Sequence, residues 1–363
     1  DSDPSRGLGD VYKRQVMTNE NETVLVTGGS GFIATHCILK LAAAGYKIKS
    51  TVRNLDRVTD LNEILNKAGS QHERLNRVEV EWTSADLTKD EGWDDAVSGC
   101  KYVLHVASPV SLDVKDENEL ITPAREGTLR VLKAASKAKV ERVVLTSSVA
   151  AILNGEEKSS YDENDWTNPE AQDCSAYSKS KTYAEKAAWD FVENVDSNLE
   201  LAVINPSWVL GPILESDIGS SVQSIQMLLN GALPLVPKIS FGMVDVRDVA
   251  DLHVLAMTSD KAPGNRFIAS ANTLSMPEWT RILREAIPEY KKRLPKRTAP
   301  DLLIKFLGIF SKTAGFIAEQ LGRTKQLDNS KAKNLLGWDP RSGEEALIAS
   351  AKSLIELNQV KAL

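Results

Sequence analysis

Cysteine is scarce in this sequence and forms no pattern. The 363 residues contain three cysteines, Cys37, Cys100 and Cys174, and no two of them make a CxxC pair. The four histidines are scattered in the same way. The sequence therefore predicts neither a disulfide framework nor a metal site. This cysteine usage fits a reducing compartment, so we expect a cytoplasmic protein.

Basic charge and long apolar runs are also lacking. The formal net charge is −6, whereas binding to nucleic acid needs a positive surface. We interpret the local basic run, Lys291–Arg293 with Lys296 and Arg297, as a solvated face. The apolar stretch Leu302–Phe310 is short and interrupted by a lysine, so no membrane-spanning helix is predicted. We therefore expect neither a nucleic acid nor a membrane as a partner.

The chain does have the alternation of strand and helix patterns that is typical of an α/β fold. Hydrophobic residues make up 42% and charged residues 26% of the sequence, as in an ordinary soluble enzyme. Helical spacing between the strands is found in Phe32–Ala44, Leu61–Leu65, Trp93–Val97, Leu129–Ala138 and Tyr177–Val195. The predicted strands are Thr23–Thr27, Tyr46–Val52, Val78–Trp82, Tyr102–Val106, Arg142–Thr146 and Leu199–Ile204. The pattern predicts a Rossmann-type, doubly wound parallel sheet.

The alternation fades after Pro206, where glycine and proline become frequent and helical patterns then dominate. We predict a dinucleotide-binding Rossmann domain over 22–207 and about 244–270. A smaller, mainly helical C-terminal substrate-binding cap would take about 208–243 and 271–363. Residues 1–16 precede Met17 and have neither periodicity nor motif, so we expect a non-native or disordered leader there.

A glycine-rich segment, Thr27–Ala34 (TGGSGFIA), follows the first predicted strand and opens the first helix. Glycine lets the backbone turn tightly there and lets a diphosphate approach the amides of a helix N-terminus. Glycine-rich turns are common, but the position between a strand and a helix is the context that a dinucleotide site requires. This segment predicts dinucleotide binding.

The end of the second strand bears on the choice of cofactor. An acidic residue there would accept hydrogen bonds from the adenosine ribose and favour NAD, but the sequence has Arg53. A guanidinium suits the 2′-phosphate of NADPH, although a plain surface arginine would look the same. Asp86, after the third strand, could accept from the adenine amino group or be a turn residue.

Tyr177 and Lys181 lie four residues apart on a predicted helix and so share one face. A free phenol has a pKa near 10, and a neighbouring ammonium would lower it towards the working range of an acid–base catalyst. An exposed, lysine-rich helix face would produce the same spacing. Two serines, Ser147 and Ser148, lie at the end of the fifth strand, where a hydroxyl can hold a substrate oxygen. They favour a catalytic pair over an exposed helix face. Either serine could also be structural.

With these motifs in place, the chain resembles the extended short-chain dehydrogenase/reductases. Within them it is most similar to the dihydroflavonol-4-reductase-like group, which includes cinnamoyl-CoA reductases and fungal carbonyl (aldehyde) reductases. The resemblance covers the chain from about Thr23 to the C-terminal helices. It depends on the segments VTGGSGFIA, STVRN, ADL, HVASPV, ENELITPAREGT, VLTSSVA, YSKSK, INPSWVLGP and VDVRDVA.

The resemblance implies a role for each matching residue. Ser148, Tyr177 and Lys181 would be catalytic, with Arg53 at the 2′-phosphate of NADPH/NADP. The other implied cofactor contacts are Gly28, Ser30, Gly31, Phe32 and Ile33 at the diphosphate, Asp86 and Leu87 near adenine, Val106, Ala107 and Ser108 at the ribose, and Pro206 and Ser207 at the nicotinamide. Ser147 and Trp208 are candidate residues of the substrate pocket.

The sequence departs from the family pattern at two positions. Ala34 occupies the place of the third glycine, where a methyl group should be tolerated. Ala124 occupies the place where many members carry an asparagine, so a four-residue proton relay is not expected. Water or Lys181 would then have to serve.

Three functions fit these observations. The first is an NADPH-dependent reductase that converts the carbonyl of a small aldehyde, ketone or ketoester to an alcohol, as a monomer or homodimer. The second is a sugar-nucleotide epimerase or dehydratase, but Val149 and Ala150 replace the Asp–Glu pair of the dehydratases, and Arg53 does not favour NAD. The third is a non-catalytic NADP-sensing protein, although the Tyr–Lys pair that such proteins lose is present. The sequence favours the reductase.

Overall fold

The computed structural model describes residues 21–70, 75, 77–109, 116–172, 174–215, 218–309, 315, 317–318 and 320–362. The predicted leader, residues 1–16, lies outside this range. The strands are β1 Thr23–Val26, β2 Lys47–Val52, β3 Glu81–Ser84, β4 Tyr102–His105, β5 Arg142–Thr146, β6 Ser160–Tyr161, β7 Glu200–Pro206, β8 Trp208–Leu210, β9 Ser240–Asp245, β10 Arg266–Ala269, β11 Asn272–Ser275 and β12 Gln326–Leu327.

The α-helices of the described residues alternate with these strands in the first half of the chain. They are α1 Phe32–Ala43, α2 Val58–Gly69, α3 Trp93–Val97, α4 Asn118–Lys137, α5 Ala176–Asn194, α6 Ser220–Leu229, α7 Val246–Thr258, α8 Met276–Ala286, α9 Asp301–Gly308, α10 Ser330–Leu336 and α11 Gly343–Glu356. Short 3-10 turns cover Leu55–Arg57, Val149–Ala151 and Pro288–Tyr290.

The central sheet has seven strands in the order β10-β7-β5-β4-β1-β2-β3. The pairs β1–β2, β2–β3, β1–β4 and β4–β5 are parallel. From β1 the chain first builds the sheet outward through β2 and β3, and then returns to place β4 on the other side of β1. This reversal confirms the predicted doubly wound α/β fold, and the carboxyl ends of β1 and β4 form the switch point where such folds bind ligands.

The described chain divides into two compact units. The first comprises residues 1–146, 183–203 and 253–265, of which 1–20 are not described, and the second comprises 147–182, 204–252 and 266–363. The catalytic candidates, Ser148, Tyr177 and Lys181, belong to the second unit, whereas the sequence prediction placed them in the Rossmann domain. The predicted domain bounds stay a prediction.

The core of the first unit is built from the strands and the inner faces of the helices. Leu25, Val103 and Val143 come from β1, β4 and β5 and are fully buried, and Val131 of α4 and Ala188 of α5 pack in the same cluster. Strands buried on both faces are expected for a parallel sheet covered by helices. The β-branched and leucine-rich strands of the sequence therefore form the layer that carries the loops of the site.

The second unit contains more strand than the sequence pattern predicted. In addition to its helices it has a three-stranded sheet in the order β11-β9-β8, with β9 antiparallel to β11 and parallel to β8. The glycine in the middle of β9 and the short length of β8 obscure the two-residue alternation of apolar and polar residues by which strands are predicted.

Two helices of the second unit begin with a capping box. Ser275 caps α8 together with Glu278, and Ser342 caps α11 together with Glu345.

Two predicted elements in the first unit differ most from the observed bounds. The third strand was predicted at Val78–Trp82 but runs over Glu81–Ser84, because the Val78 amide donates to the Asn66 side chain at 2.9 Å rather than to a strand. The helix predicted over Leu129–Ala138 starts eleven residues earlier and contains Pro123.

Candidate functional site

The first two glycines of the loop after β1 are required by close contacts. Gly28 has a φ of +70°, in the left-handed region, and a Cβ there would lie 3.0 Å from the Cβ of Ala107. A Cβ at Gly29 would lie 2.1 Å from the Ser50 Oγ and 2.6 Å from the Trp82 ring. Side chains at these two positions would push the loop away from the strands beside it.

The loop is tied to β2 and to itself by backbone amides. The Gly28 amide donates to the Thr51 hydroxyl at 3.0 Å, and the Gly29 amide donates to the Thr51 carbonyl at 2.8 Å. The Gly31 amide donates back to the Gly28 carbonyl at 2.8 Å, which closes a tight turn around Ser30. These bonds fix the path by which the chain enters α1.

Thr27, the last residue before the glycines, links the carboxyl ends of β1 and β4. Its hydroxyl accepts hydrogen bonds from the amides of Val106 and Ala107, each at 3.0 Å, and pairs with Nδ1 of His105 at 2.9 Å. With both lone pairs of the oxygen engaged, the hydroxyl proton is the one shared with His105. The structure thus brings the predicted ribose-side residues Val106 and Ala107 to the glycine loop, with half-buried Ser108 next in the chain. Thr27 was not among the site residues predicted from the sequence.

The N-terminus of α1 has the properties of a diphosphate site. Gly31 is the N-cap, no side chain caps the helix, and the first turn has no acidic residue. The first amides of a helix have no intrahelical acceptor, and in α1 they belong to Phe32 and Ile33. The positive end of the helix dipole also lies here, and the glycines before the helix leave space that side chains would occupy. This arrangement fits the diphosphate of a dinucleotide.

Arg53 and Asp86 follow the ends of β2 and β3. The side chain of Arg53 is exposed, and Asp86 is half-buried. The Asp86 carboxylate accepts from the amide and the hydroxyl of Thr88, both at 2.8 Å, and these bonds, with a smaller contribution from Arg53, lower its pKa. Leu87 has a packing role as well, because a Cβ at Gly127 would lie 2.8 Å from its side chain.

The second unit carries the catalytic candidates, and α5 places two of them. Tyr177 and Lys181 lie one turn apart, with the Lys181 Nζ 5.9 Å from the centre of the Tyr177 ring. Lys181 is 6% exposed and Tyr177 is half-buried. The pair is therefore not the solvated, lysine-rich helix face that was its alternative interpretation.

Of the two serines after β5, Ser148 is the one that bonds Tyr177. Ser148 is also the N-cap of the 3-10 turn Val149–Ala151, and its Oγ accepts from the Ala150 amide at 3.1 Å. Ser147 is buried, and its amide donates to the Ile204 carbonyl at 2.8 Å. The structure brings Ser148, Tyr177 and Lys181 together as one group.

The pKa of Tyr177 is raised above its ordinary value of 10.0, mainly because burial disfavours the phenolate. The hydrogen bond with Ser148 acts in the opposite direction and lowers it. The sequence analysis expected a pKa lowered by Lys181, and this direction was wrong for the structure. Desolvation of the phenol outweighs the hydrogen bond with Ser148.

Pro206 ends β7, and Ser207 and Trp208 follow it. Ser207 is bound to the Ala269 carbonyl by its amide, at 3.0 Å, and by its hydroxyl, at 3.2 Å. The Trp208 ring lies 4.8 Å from that of Phe241 and 6.5 Å from that of Trp279, measured between ring centres. The Trp208 indole N–H is buried without a hydrogen-bond partner among the described residues.

Asn205 is a buried polar residue of the site that the sequence analysis also missed. It is fully buried in β7, and its Nδ2 donates to the Ser148 carbonyl at 3.2 Å. The signal was an amide side chain in a strand of apolar residues, directly before Pro206. Ala124, the position without the relay asparagine, is buried in α4 of the first unit.

Among the described residues, no cluster of histidine, cysteine, aspartate and glutamate side chains could hold a metal ion. None of the helices described is both long and apolar enough to cross a membrane.

Several proteins to which this chain is similar are named as reductases. A cinnamoyl-CoA reductase (CAD2) of Medicago truncatula is 38% identical over 78% of this chain and 86% of its own. The NADPH-dependent methylglyoxal reductase GRE2 of Saccharomyces cerevisiae is 31% identical over 92% of this chain and 98% of its own. The crystal structure of yeast methylglyoxal/isovaleraldehyde reductase Gre2 complexed with NADPH superposes with a TM-score of 0.75, at 30% identity, over 93% of this chain and 99% of the other.

The sequence profile of the NAD dependent epimerase/dehydratase family matches residues 24–269, from β1 to the end of β10. This range contains the glycine loop, the Ser148 turn and the Tyr177 helix. The match and the reductase relatives confirm the resemblance on which the sequence analysis relied. The chain belongs to the NAD dependent epimerase/dehydratase family, that of the extended short-chain dehydrogenases/reductases.

Proposed function

We propose that this protein is an NADPH-dependent oxidoreductase that reduces the carbonyl of a small aldehyde, ketone or ketoester to an alcohol. The observation that carries the proposal is the hydrogen bond between Ser148 and Tyr177, with Lys181 one helical turn away. These are the donor, acid and cation that carbonyl reduction needs. The named activities of the relatives, reduction of methylglyoxal and of cinnamoyl-CoA, are of the same class.

Most of the residues that would hold the cofactor belong to the first unit, and Pro206 and Ser207 belong to the second. The first amides of α1, at Phe32 and Ile33, would hold the diphosphate, and Val106 and Ala107 would border the ribose. Arg53 would bind the 2′-phosphate through charge-assisted hydrogen bonds, which favours NADPH over NADH. Asp86 and Leu87 would lie at adenine, Ser108 at the ribose, and Pro206 and Ser207 at the nicotinamide. When bound, NADPH supplies a hydride to the carbonyl carbon.

The chain's own residues supply the proton and hold the oxygen. The hydroxyls of Ser148 and Tyr177 would both donate to the substrate carbonyl oxygen, where negative charge develops. As the carbon receives the hydride, the phenol proton moves to that oxygen, so that an alcohol and a phenolate form. The Lys181 ammonium stabilises this phenolate until a proton from solvent restores it.

The substrate pocket is proposed to include Ser147 and Trp208. Ser147 is the residue before the catalytic serine, and Trp208 presents a large aromatic surface with an unpartnered N–H among the described residues. Aromatic walls with a few polar groups are typical of small-molecule sites. We also propose that the protein is cytoplasmic. We propose that it acts as a monomer or homodimer.

Two other functions are less well supported. An epimerase or dehydratase shares the family, but Val149 and Ala150 follow Ser148 where elimination would need acidic side chains. A non-catalytic NADP sensor has no need for a buried lysine one turn from a tyrosine that is bonded to a serine. The relatives compared above are named as reductases.

The direct test follows the oxidation of NADPH by the purified protein with a panel of aldehydes, ketones and ketoesters, and identifies the alcohol by mass spectrometry. We expect turnover with at least one class and little turnover with NADH. Parallel assays with nucleotide sugars test the second function. Epimerisation of a sugar nucleotide without any carbonyl-dependent NADPH oxidation would contradict the proposal.

A further inference from the structure

Ser148 lies at a break in regular structure. β5 ends at Thr146, and the 3-10 turn begins at Val149, so the ladder of the sheet does not fix the main chain of Ser148. Three hydrogen bonds hold the main chain here instead. The first is at the preceding residue, where the Ser147 amide donates to the Ile204 carbonyl of β7 at 2.8 Å. A second bond comes from the turn itself, where the Ala151 amide donates to the Ser148 carbonyl at 3.0 Å.

The third bond is the contact from Asn205. Its side-chain amide donates to the Ser148 carbonyl at 3.2 Å, and Asn205 follows Ile204 in β7. Two successive residues of β7 therefore hold two successive residues after β5. Ile204 binds Ser147 through its main-chain carbonyl, and Asn205 binds Ser148 through its side-chain amide.

Asparagine is an unusual residue for this strand. Its neighbours Val203 and Ile204 are fully buried apolar residues that suit a covered sheet, and Asn205 is equally buried at 0% exposure. Asparagine is depleted in strands, and burial of its amide is unfavourable unless the amide is hydrogen-bonded. Strand formation does not explain its presence, whereas the bond to Ser148 does.

The position of the Ser148 main chain decides where its hydroxyl lies. A serine side chain has a single rotatable bond before its oxygen, so Oγ stays on a small circle around Cβ. On that circle Oγ accepts from the Ala150 amide at 3.1 Å and bonds Tyr177. A shift of the Ser148 carbonyl would break this arrangement.

We propose that Asn205 is a positioning residue of the reductase, which holds the Ser148 carbonyl and so keeps the Ser148 hydroxyl at the Tyr177 phenol. Asn205 acts through Ser148 and does not itself act on the substrate. This inference rests on the proposed function, because it concerns the rate of the carbonyl reduction.

The test is a double-mutant cycle on kcat. Asn205→Leu keeps the branched shape of the side chain and removes the donor, and Ser148→Ala removes the hydroxyl that Asn205 is proposed to position. Because a misplacement of about 1 Å can reduce a rate about a hundredfold, we expect Asn205→Leu to lower kcat at least roughly tenfold with the KM for NADPH unchanged. The double variant should be no slower than Ser148→Ala alone.

A second readout separates positioning from a loss of stability. The hydrogen bond from Ser148 lowers the pKa of Tyr177, so its loss should move the alkaline limb of the pH–rate profile to higher pH. We expect this shift in Asn205→Leu and in Ser148→Ala alike. A purely structural role of Asn205 would leave the limb in place.

Ser350→Ala is the matched control. Ser350 is fully buried in the same unit, and its hydroxyl accepts from the Gly211 amide at 2.7 Å and donates to the Gly211 carbonyl at 2.9 Å. This variant loses buried hydrogen bonds without contact to Ser148, so its Tm should fall while kcat and the pH profile stay unchanged. Where Asn205→Leu does not fold, Asn205→Val suits a buried strand and removes the donor.

Each outcome decides the inference. If Asn205→Leu slows the Ser148→Ala enzyme by the same factor as the wild type, or leaves kcat and the pH profile unchanged, Asn205 is not a positioning residue. The proposed function survives that result as long as Ser148→Ala itself is slow. Wild-type rates in Ser148→Ala would overturn the catalytic set and the positioning role together.

Discussion

The Lys181 Nζ lies 5.9 Å from the centre of the Tyr177 ring, one turn further along α5. This distance is at the outer limit of the range of a cation–π interaction. Burial nevertheless raises the pKa of the phenol, so Tyr177 is neutral and holds its proton at neutral pH. For a reduction this is the useful state, because the reaction begins with a proton on the acid.

Replacement of Tyr177 by phenylalanine tests the role of this proton. A positioned general acid contributes about 10²–10⁴-fold to a rate, so kcat should fall by that order in Tyr177→Phe. The affinity for NADPH, measured by fluorescence titration, should stay close to that of the wild type. Tyr183→Phe on the same helix is the control and should keep full activity. Full activity in Tyr177→Phe would refute the assignment.

The pH dependence of the rate follows from the direction of the Tyr177 pKa. The protonated phenol is the active form in reduction, and its pKa is raised above 10.0, so reduction should be lost only as the pH rises beyond that value. The reverse reaction, oxidation of the alcohol with NADP⁺, needs the phenolate and should accelerate over the same range. Measurement of kcat in both directions against pH checks this. A reduction rate that already halves near neutral pH would be inconsistent with Tyr177 as the acid.

Charge at position 53 should determine cofactor choice. A hydrogen bond to a charged group contributes about 1.5–3 kcal/mol, so Arg53→Glu should raise the KM for NADPH by roughly tenfold to a hundredfold or more and reverse the preference towards NADH. Arg77→Ala, which removes an exposed arginine paired with Glu79, should leave both KM values unchanged. An Arg53→Glu enzyme that still prefers NADPH in kinetic assays would show that the 2′-phosphate is bound elsewhere.

Gly29 should be the least replaceable glycine of the loop. A Cβ there would lie 2.1 Å from the Ser50 Oγ and 2.6 Å from the Trp82 ring, so Gly29→Ala should destabilise the fold by about 1–3 kcal/mol. At Gly31 the added carbon would meet only the Gly28 carbonyl, at 3.2 Å, and Gly31→Ala should be milder. Urea unfolding of both variants measures the difference. Equal stability would mean that the strands move to make room.

Trp208 offers a test of the substrate pocket. A buried N–H without a partner is unfavourable by about 1–3 kcal/mol, and a second oxygen of a substrate could satisfy it. Trp208→Phe, which keeps an aromatic ring and removes the N–H, should therefore lower kcat/KM for ketoesters about tenfold more than for simple ketones of equal length. An equal effect on both substrate classes would show that the indole N–H does not bind the second oxygen of the substrate.

The sequence alone determined the elements that depend on local pattern. Apolar β-branched runs and helical spacing predicted Arg142–Thr146 and Trp93–Val97 with their observed bounds. The segment Thr27–Ala34 predicted the glycine loop, because neighbouring residues encode the strand end, the tight turn and the start of the helix. The spacing of Tyr177 and Lys181 placed both on one helix face for the same reason.

Only the tertiary structure decided what depends on residues far apart in the chain. Ser148 rather than Ser147 bonds Tyr177, 29 positions further on, and no local pattern distinguishes the two serines. The direction of the Tyr177 pKa reversed because burial is set by the packed fold, whereas the sequence shows only the nearby charge. Thr27 and Asn205 also acquire their roles through partners that follow the ends of other strands, 79 and 57 residues away, and these come together only when the sheet forms.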